Sequence, residues 1–196
     1  MNAAGDVLAA LSPVVDALER LGVTYLIGGS VASSVHGTAR STMDVDLVAD
    51  MALPHVGPFV AALGDAFYAD DQSIRDAIAN RSSFNVIHMA TAVKVDVFVP
   101  KNRPYDREAL RRRTPESLEE SPGARSFQFA SAEDIVLAKL DWFQRGGRVS
   151  ERQWTDILGV MRVQASALDL VYLQRWAPAL CVTDLLDRAL AEAGLA

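Results

Sequence analysis

One cysteine and three histidines leave this 196-residue chain without the donors for a disulfide or for a structural zinc site. Its stability has to come from a core, and with half of its residues apolar the chain can build a substantial one. Cys181 lies in an apolar stretch of helical pattern, so it is expected as a small buried hydrophobe in a reducing compartment. The N-terminus lacks a basic segment followed by an apolar core, and no apolar run approaches the roughly 20 residues that cross a bilayer. The expectation is a cytoplasmic protein with no membrane partner. An excess of positive charge is missing too: 19 Lys and Arg stand against 25 Asp and Glu, a net charge of −6, which excludes a chain that coats nucleic acid by bulk electrostatics. Two local groups, Arg103, Arg107, Arg111, Arg112 and Arg113, then Arg145, Arg148 and Arg152, read first as solvated or ion-paired faces. Should the chain act on a nucleic acid, they are its contact points. There is no internal repeat or low-complexity tract.

What is present divides in two. Val7, Leu8, Leu11, Val14, Val15, Leu18 and Leu21 recur at helical spacing, which predicts a helix over 6–21 stopped by Gly22. A β-branched and aromatic run over 23–27 predicts a strand. Short helices are expected over 31–36, 54–64 and 71–80, and strands over 84–89 and 93–99 as an antiparallel hairpin. The segment 101–124, rich in Pro, Arg and Glu, reads as a partly helical connection. After a short strand over 126–129 the pattern is helical to the end, with Ser131 as an N-cap and helices over 132–145, 150–164, 167–177 and 179–193. The fold class is α+β, a mixed β-sheet with flanking helices over 1–124 followed by a mainly helical domain over 125–196 that completes a cleft.

The chemistry concentrates between residues 23 and 46. Val23–Ile27 leads as a strand into Gly28, Gly29 and Ser30, and the residues after Ser30 turn helical. Glycines at such a junction let the backbone approach a ligand, Ser30 suits an N-cap, and the unpaired amides of the first helical turn can face phosphate oxygens. Asp44 and Asp46 follow on a second strand. Alternate strand residues share a face, so these carboxylates project together about 6.5 Å apart at the backbone, a spacing suited to one hard cation. A glycine turn holding a triphosphate and an Asp-x-Asp holding magnesium would align an in-line attack on phosphorus. Asp-x-Asp at a strand end also occurs as a solvated edge. Asp96, in Val93–Val99, shares its strand face with Lys94 and Phe98, where it is free to pair with Lys94 instead. Lys139, among Ile135, Val136, Trp142 and Phe143, either snorkels to solvent or reaches a phosphate. Asp156 lies four residues after Arg152, the spacing of a helical ion pair.

Gly28-Gly29-Ser30 followed by Arg40-Ser41-Thr42-Met43-Asp44-Val45-Asp46-Leu47 resembles the Gly-Ser turn and Arg-x-Thr-x-Asp-x-Asp-Leu element of nucleotidyltransferases of the DNA polymerase β type. The resemblance implies a nucleotidyltransferase-like sheet, with Asp44 and Asp46 as metal ligands and Asp96 as the third carboxylate of the metal site. It implies magnesium or manganese as cofactor, an NTP as substrate, and Gly28, Gly29, Ser30, Arg40 and Lys139 as nucleotide-binding residues. Lys139 in Ile-Val-Leu-Ala-Lys-Leu and Asp156 in Arg-Gln-Trp-Thr-Asp look like the C-terminal motifs of the AbiEii and MenT-like nucleotidyltransferase toxins, which adds both to the catalytic set. That branch implies tRNA or protein as acceptor and an antitoxin partner in a toxin-antitoxin system. The chain departs from it just after the glycine turn, where those toxins usually carry a lysine and this sequence has Ser33, Ser34 and His36. Two other readings stand beside it: a small-molecule transferase acting on an acceptor such as an aminoglycoside, and a non-catalytic nucleotide-sensing or protein-binding module of the same fold.

Overall fold

The computed structural model describes residues 3–38, 44–119 and 123–195. The first predicted helix runs as α1, Ala3–Arg20, with Val7, Leu11, Val14, Val15 and Leu18 buried. These positions repeat every three or four residues, so one stripe of the helix is withdrawn from water. The chain then enters β1 (Tyr25–Ile27), α2 (Gly29–His36) and β2 (Asp44–Ala49). α2 begins two residues earlier than expected, which puts Ser30 in its first turn and not at the cap. The cause is a backbone bond: Gly28 N–H donates to Asp46 C=O at 2.9 Å, so the chain turns away from β2 at Gly28.

Further along come α3 (Val56–Leu63), β3 (Phe67–Tyr68), α4 (Asp71–Asn80), β4 (Ser83–His88), β5 (Lys94–Phe98), α5 (Pro104–Arg111), β6 (Thr114–Ser117) and β7 (Ser126–Phe129). Among the described residues the strands form one seven-stranded sheet in the order β3-β4-β5-β2-β1-β7-β6. β2 runs parallel to β5 and β1 parallel to β7, while the remaining neighbours are antiparallel, β4 and β5 among them. The mixed sheet with flanking helices is therefore as expected. One sheet face is core: Val45, Leu47, Val95 and Val97 are fully buried, and α1 packs over β2 and β5. Their alternating neighbours, Asp44, Asp46, Lys94 and Asp96, take the opposite, partly exposed face.

The helices after β7 are α6 (Ala132–Arg145), α7 (Glu151–Gln164), α8 (Leu170–Trp176) and α9 (Thr183–Ala193). Ser131 caps α6 as predicted: its Oγ accepts from Asp134 N–H at 3.2 Å and donates to the Asp134 carboxylate at 2.8 Å. Tyr172 from α8 donates to the other oxygen of Asp134 at 2.7 Å, so this buried carboxylate ties two helices together. The last two helices are shorter than predicted, because Asp169 caps Tyr172 N–H and a turn of 3-10 helix over Pro178–Leu180 interrupts the run. Cys181 closes that turn in a left-handed conformation, φ 58°, and is exposed. The expectation of a buried Cys181 is corrected accordingly: the turn rotates it out of the apolar stripe that a continuous helix would have given it.

The chain divides into two compact units, Met1–Val31 with Ser41–Phe129, and Ala32–Arg40 with Ala130–Ala196. α2 begins in the first and ends in the second. Among the described residues no helix is long and apolar enough to cross a membrane.

Candidate functional site

In the sheet unit, the parallel register of β2 on β5 sets Asp46 beside Asp96 and Asp44 beside Lys94. Asp44, Asp46 and Asp96 thus meet on one sheet face, because in-register neighbours on parallel strands point the same way. Antiparallel β4 adds Asn85 opposite Asp96. The glycine turn closes on the same carboxylates. Gly29 has φ +57°, a left-handed value, and a Cβ placed on it would overlap the Asp46 carboxylate, with Asp46 Cβ itself only 2.8 Å away. Only glycine leaves the turn in contact with Asp46. Gly28, Gly29 and Ser30 are therefore held next to the Asp-x-Asp strand by a backbone bond on one residue and a missing side chain on the next.

Asp96 is engaged. Lys94 Nζ lies 2.7 Å from Asp96 Oδ2, the pairing that the alternation of β5 allowed from the sequence alone. The hydrogen bond to Asp96 is the main cause that holds the Lys94 ammonium above the ordinary lysine range, outweighing the opposite effect of burial; the charges of Asp96, Asp44 and Asp46 all add to it. One lysine therefore sits in the field of all three carboxylates. As a donor set, three carboxylates on adjacent strands suit a hard divalent cation. Among the described residues, however, no group of three His, Cys, Asp or Glu side chains already converges on a point that could hold a metal. The chemistry of the face fits magnesium, and Asp96 is turned to Lys94.

In the helical unit, Lys139 and Asp156 come together. Lys139 Nζ donates to Asp156 Oδ2 at 2.9 Å, with side-chain exposures of 10% and 9%. The Arg152–Asp156 ion pair that the spacing suggests gives way to this one, since Asp156 turns toward α6. Removing one member of a pair this buried leaves an uncompensated charge and costs about 3–5 kcal/mol. Asp156 also lines a cavity of about 350 Å³ with Ser33, Thr38, Thr155, Gly159 and Arg162. Sequence reasoning missed this cavity. Its signal was Thr155, Asp156, Gly159 and Arg162 at helical spacing on the face of α7 opposite the buried Trp154, Ile157, Leu158 and Met161. Nearby, a Cβ on Gly37 would come within 2.9 Å of Ser33 O and 3.0 Å of Val160 N, so the end of α2 packs backbone to backbone on α7.

Arg40 lies outside the described residues. The basic groups are largely paired, as their first reading had it: Arg103 with Asp106 at 2.8 Å, Arg111 with Glu108 at 2.6 Å, Arg145 with Asp141 at 2.8 Å, and Arg148 with Asp184 at 2.7 Å.

Comparison with solved structures identifies the fold. The solution structure of the antibiotic-resistance factor ANT(2'')-Ia superposes with a TM-score of 0.57 over 91% of this chain and 92% of that one, at 13% sequence identity. A crystal structure of ANT(2'')-Ia in complex with adenylyl-2''-tobramycin gives 0.56 over 88% and 95%, at 16% identity. The chain has the nucleotidyltransferase fold. A third structure of that fold, an antigenic nucleotidyltransferase-like protein from Paracoccidioides brasiliensis, aligns at 0.50 over 91% and 93%, with 18% identity. No protein-family model and no curated protein matches the sequence.

Proposed function

We propose that the chain is an enzyme that transfers a nucleoside monophosphate from an NTP to a hydroxyl acceptor with release of pyrophosphate, in a magnesium- or manganese-dependent reaction. The observation that carries this reading is the meeting of Asp44, Asp46 and Asp96 on one face of two parallel strands, with the Gly28–Gly29 turn against Asp46. The fold shared with ANT(2'')-Ia supports it. A divalent cation on these carboxylates supplies charge neutralisation for the phosphates and the leaving pyrophosphate. Gly28 and Gly29 admit the triphosphate close to the backbone, and Ser30 offers its hydroxyl and the first-turn amides of α2 to the β- and γ-phosphate oxygens. Asp96 takes the proton of the acceptor hydroxyl as its oxygen bonds to the α-phosphorus and the bond to pyrophosphate breaks. Lys139, oriented by Asp156, and Arg40 are assigned to the negative charge of the nucleotide.

The acceptor class supported first is a small polyhydroxylated molecule such as an aminoglycoside, given the adenylyl-2''-tobramycin complex of the fold neighbour. A second acceptor class, an RNA or protein hydroxyl, rests on the resemblance of the Lys139 and Asp156 motifs to the toxin branch, and the Lys139–Asp156 bond itself does not discriminate between acceptors. In that case an antitoxin partner is expected.

The test incubates the protein with each α-labelled NTP and magnesium, in separate arms with aminoglycosides, total RNA and total protein, beside an Asp44→Ala/Asp46→Ala variant. Label transferred by the parent and lost in the variant identifies the base and the acceptor class. Magnesium-dependent NTP binding without transfer in any arm would favour a nucleotide-sensing module, and absence of binding would refute the nucleotide reading altogether.

A further inference from the structure

We infer that Lys94 is a built-in counter-ion of the carboxylate face, competing with the divalent cation for Asp96, so that cation binding requires Asp96 to exchange its lysine partner for the metal. The inference rests on the reading of Asp44, Asp46 and Asp96 as metal ligands. It starts from a register that puts like charges side by side. Asp46 pairs with Asp96 across β2 and β5, and Asp44 lies two residues before Asp46 on the same face, so three carboxylates gather within two rows of the sheet. Like charges directly opposite one another destabilise a sheet. Lys94 is the residue opposite Asp44 and two before Asp96, on the same face, which lets one ammonium serve the whole cluster.

The ammonium does reach it. Its nitrogen is 2.7 Å from Asp96 Oδ2, a charge-assisted bond that engages one of the two oxygens Asp96 can offer to a cation. Magnesium demands near-ideal geometry at roughly 2.0–2.1 Å from its ligands, and a lysine ammonium left on the same carboxylate adds repulsion between like charges. The two cations therefore compete at Asp96. The same exchange explains how three acidic residues with metal-ligand chemistry share a face while no three of them converge, among the described residues, on one point. Lys94 acts here as a positioning residue, holding Asp96 in a waiting geometry until the metal takes its place.

The experiment is calorimetric titration of manganese and of magnesium into the full chain without nucleotide, comparing the parent with Lys94→Met, Lys94→Gln and Lys94→Arg, together with the metal-induced rise in melting temperature. Lys94→Met and Lys94→Gln are expected to bind the cation on the order of tenfold more tightly, the effect that one adjacent unit charge has on a carboxylate site. Their melting temperatures should rise more on metal addition than that of the parent, and Lys94→Arg should stay near the parent. Two neutral variants guard against the misfolding of either one. If the parent binds metal and the neutral variants bind it equally or more weakly, Lys94 is not a competitor and this inference alone falls. If no form binds metal or shows a thermal shift, the metal-dependent reading of the site falls with it.

Discussion

Replacing Gly29 by alanine tests the contact that ties the glycine turn to the Asp-x-Asp strand. The added methyl meets two separate penalties. An L-residue at φ +57° costs about 1–2 kcal/mol for the left-handed conformation. The Cβ also overlaps the Asp46 carboxylate, and accommodating one extra carbon in a packed site adds roughly 1–3 kcal/mol. The sum, on the order of 2–5 kcal/mol, corresponds in a chain of this size to a melting temperature lower by about 4–20 °C. The overlap can be separated from the backbone strain with a double-mutant cycle. Asp46→Gly removes the Oδ2, Cγ and Cβ atoms closest to the new methyl, so Gly29→Ala in that background should keep only the conformational cost. Urea unfolding of the four proteins should then show a coupling of about 1–3 kcal/mol between the two sites. A Gly29→Ala protein as stable as the parent, or a penalty that is the same with and without the Asp46 carboxylate, would refute the reasoning.

Lys139→Met should destabilise the chain by about 3–5 kcal/mol in chemical denaturation, since it strands the Asp156 carboxylate, whereas Lys139→Met combined with Asp156→Leu should recover most of the loss. Gly37→Ala should cost about 1–3 kcal/mol by the same measurement, because the new methyl meets the backbones of Ser33 and Val160, which have no flexible end to give way. Glu192 accepts from Trp154 Nε1–H at 2.8 Å and from Arg188 at 2.7 Å; the Trp154 bond first, then Arg188, holds its carboxyl below the ordinary glutamate range. A lowered folded pKa contributes stability above the unfolded value and loses it as pH falls through the folded one, so acid should loosen α9 from α7 below the ordinary glutamate range. Stability measured against pH should be flatter in that window for Glu192→Gln, and an unchanged slope would show that Glu192 is not the group involved.

The β1–turn–α2–β2 segment was legible in the residues because each of its parts is local. A β-branched run makes a strand, paired glycines make a turn, and Asp-x-Asp on a strand puts both carboxylates on one face whatever lies beside them. The N-cap at Ser131 was legible for the same reason, as its bond closes within three residues. The strands β3 and β6 were not. Phe67–Tyr68 is too short to show a period, and Thr114–Ser117 carries Pro115 and little apolar character, so it pairs as a sheet edge because β7 offers it partners. Cys181 looked buried because its neighbours are apolar, and a left-handed turn decided otherwise.

Local periods of two and 3.6 residues were enough to place Asp44 and Asp46 together, to separate a sheet portion from a helical one, and to mark Lys139 as a lysine in need of a reason. Which residues answer one another across the fold was decided elsewhere. Asp46 beside Asp96 depends on the register of two parallel strands far apart in the chain, and Lys139 on Asp156 depends on how α6 packs against α7. The same is true of Gly29 against Asp46. Pairings of this kind are set by hydrogen bonding and packing between distant segments, and spacing along the chain carries no record of them.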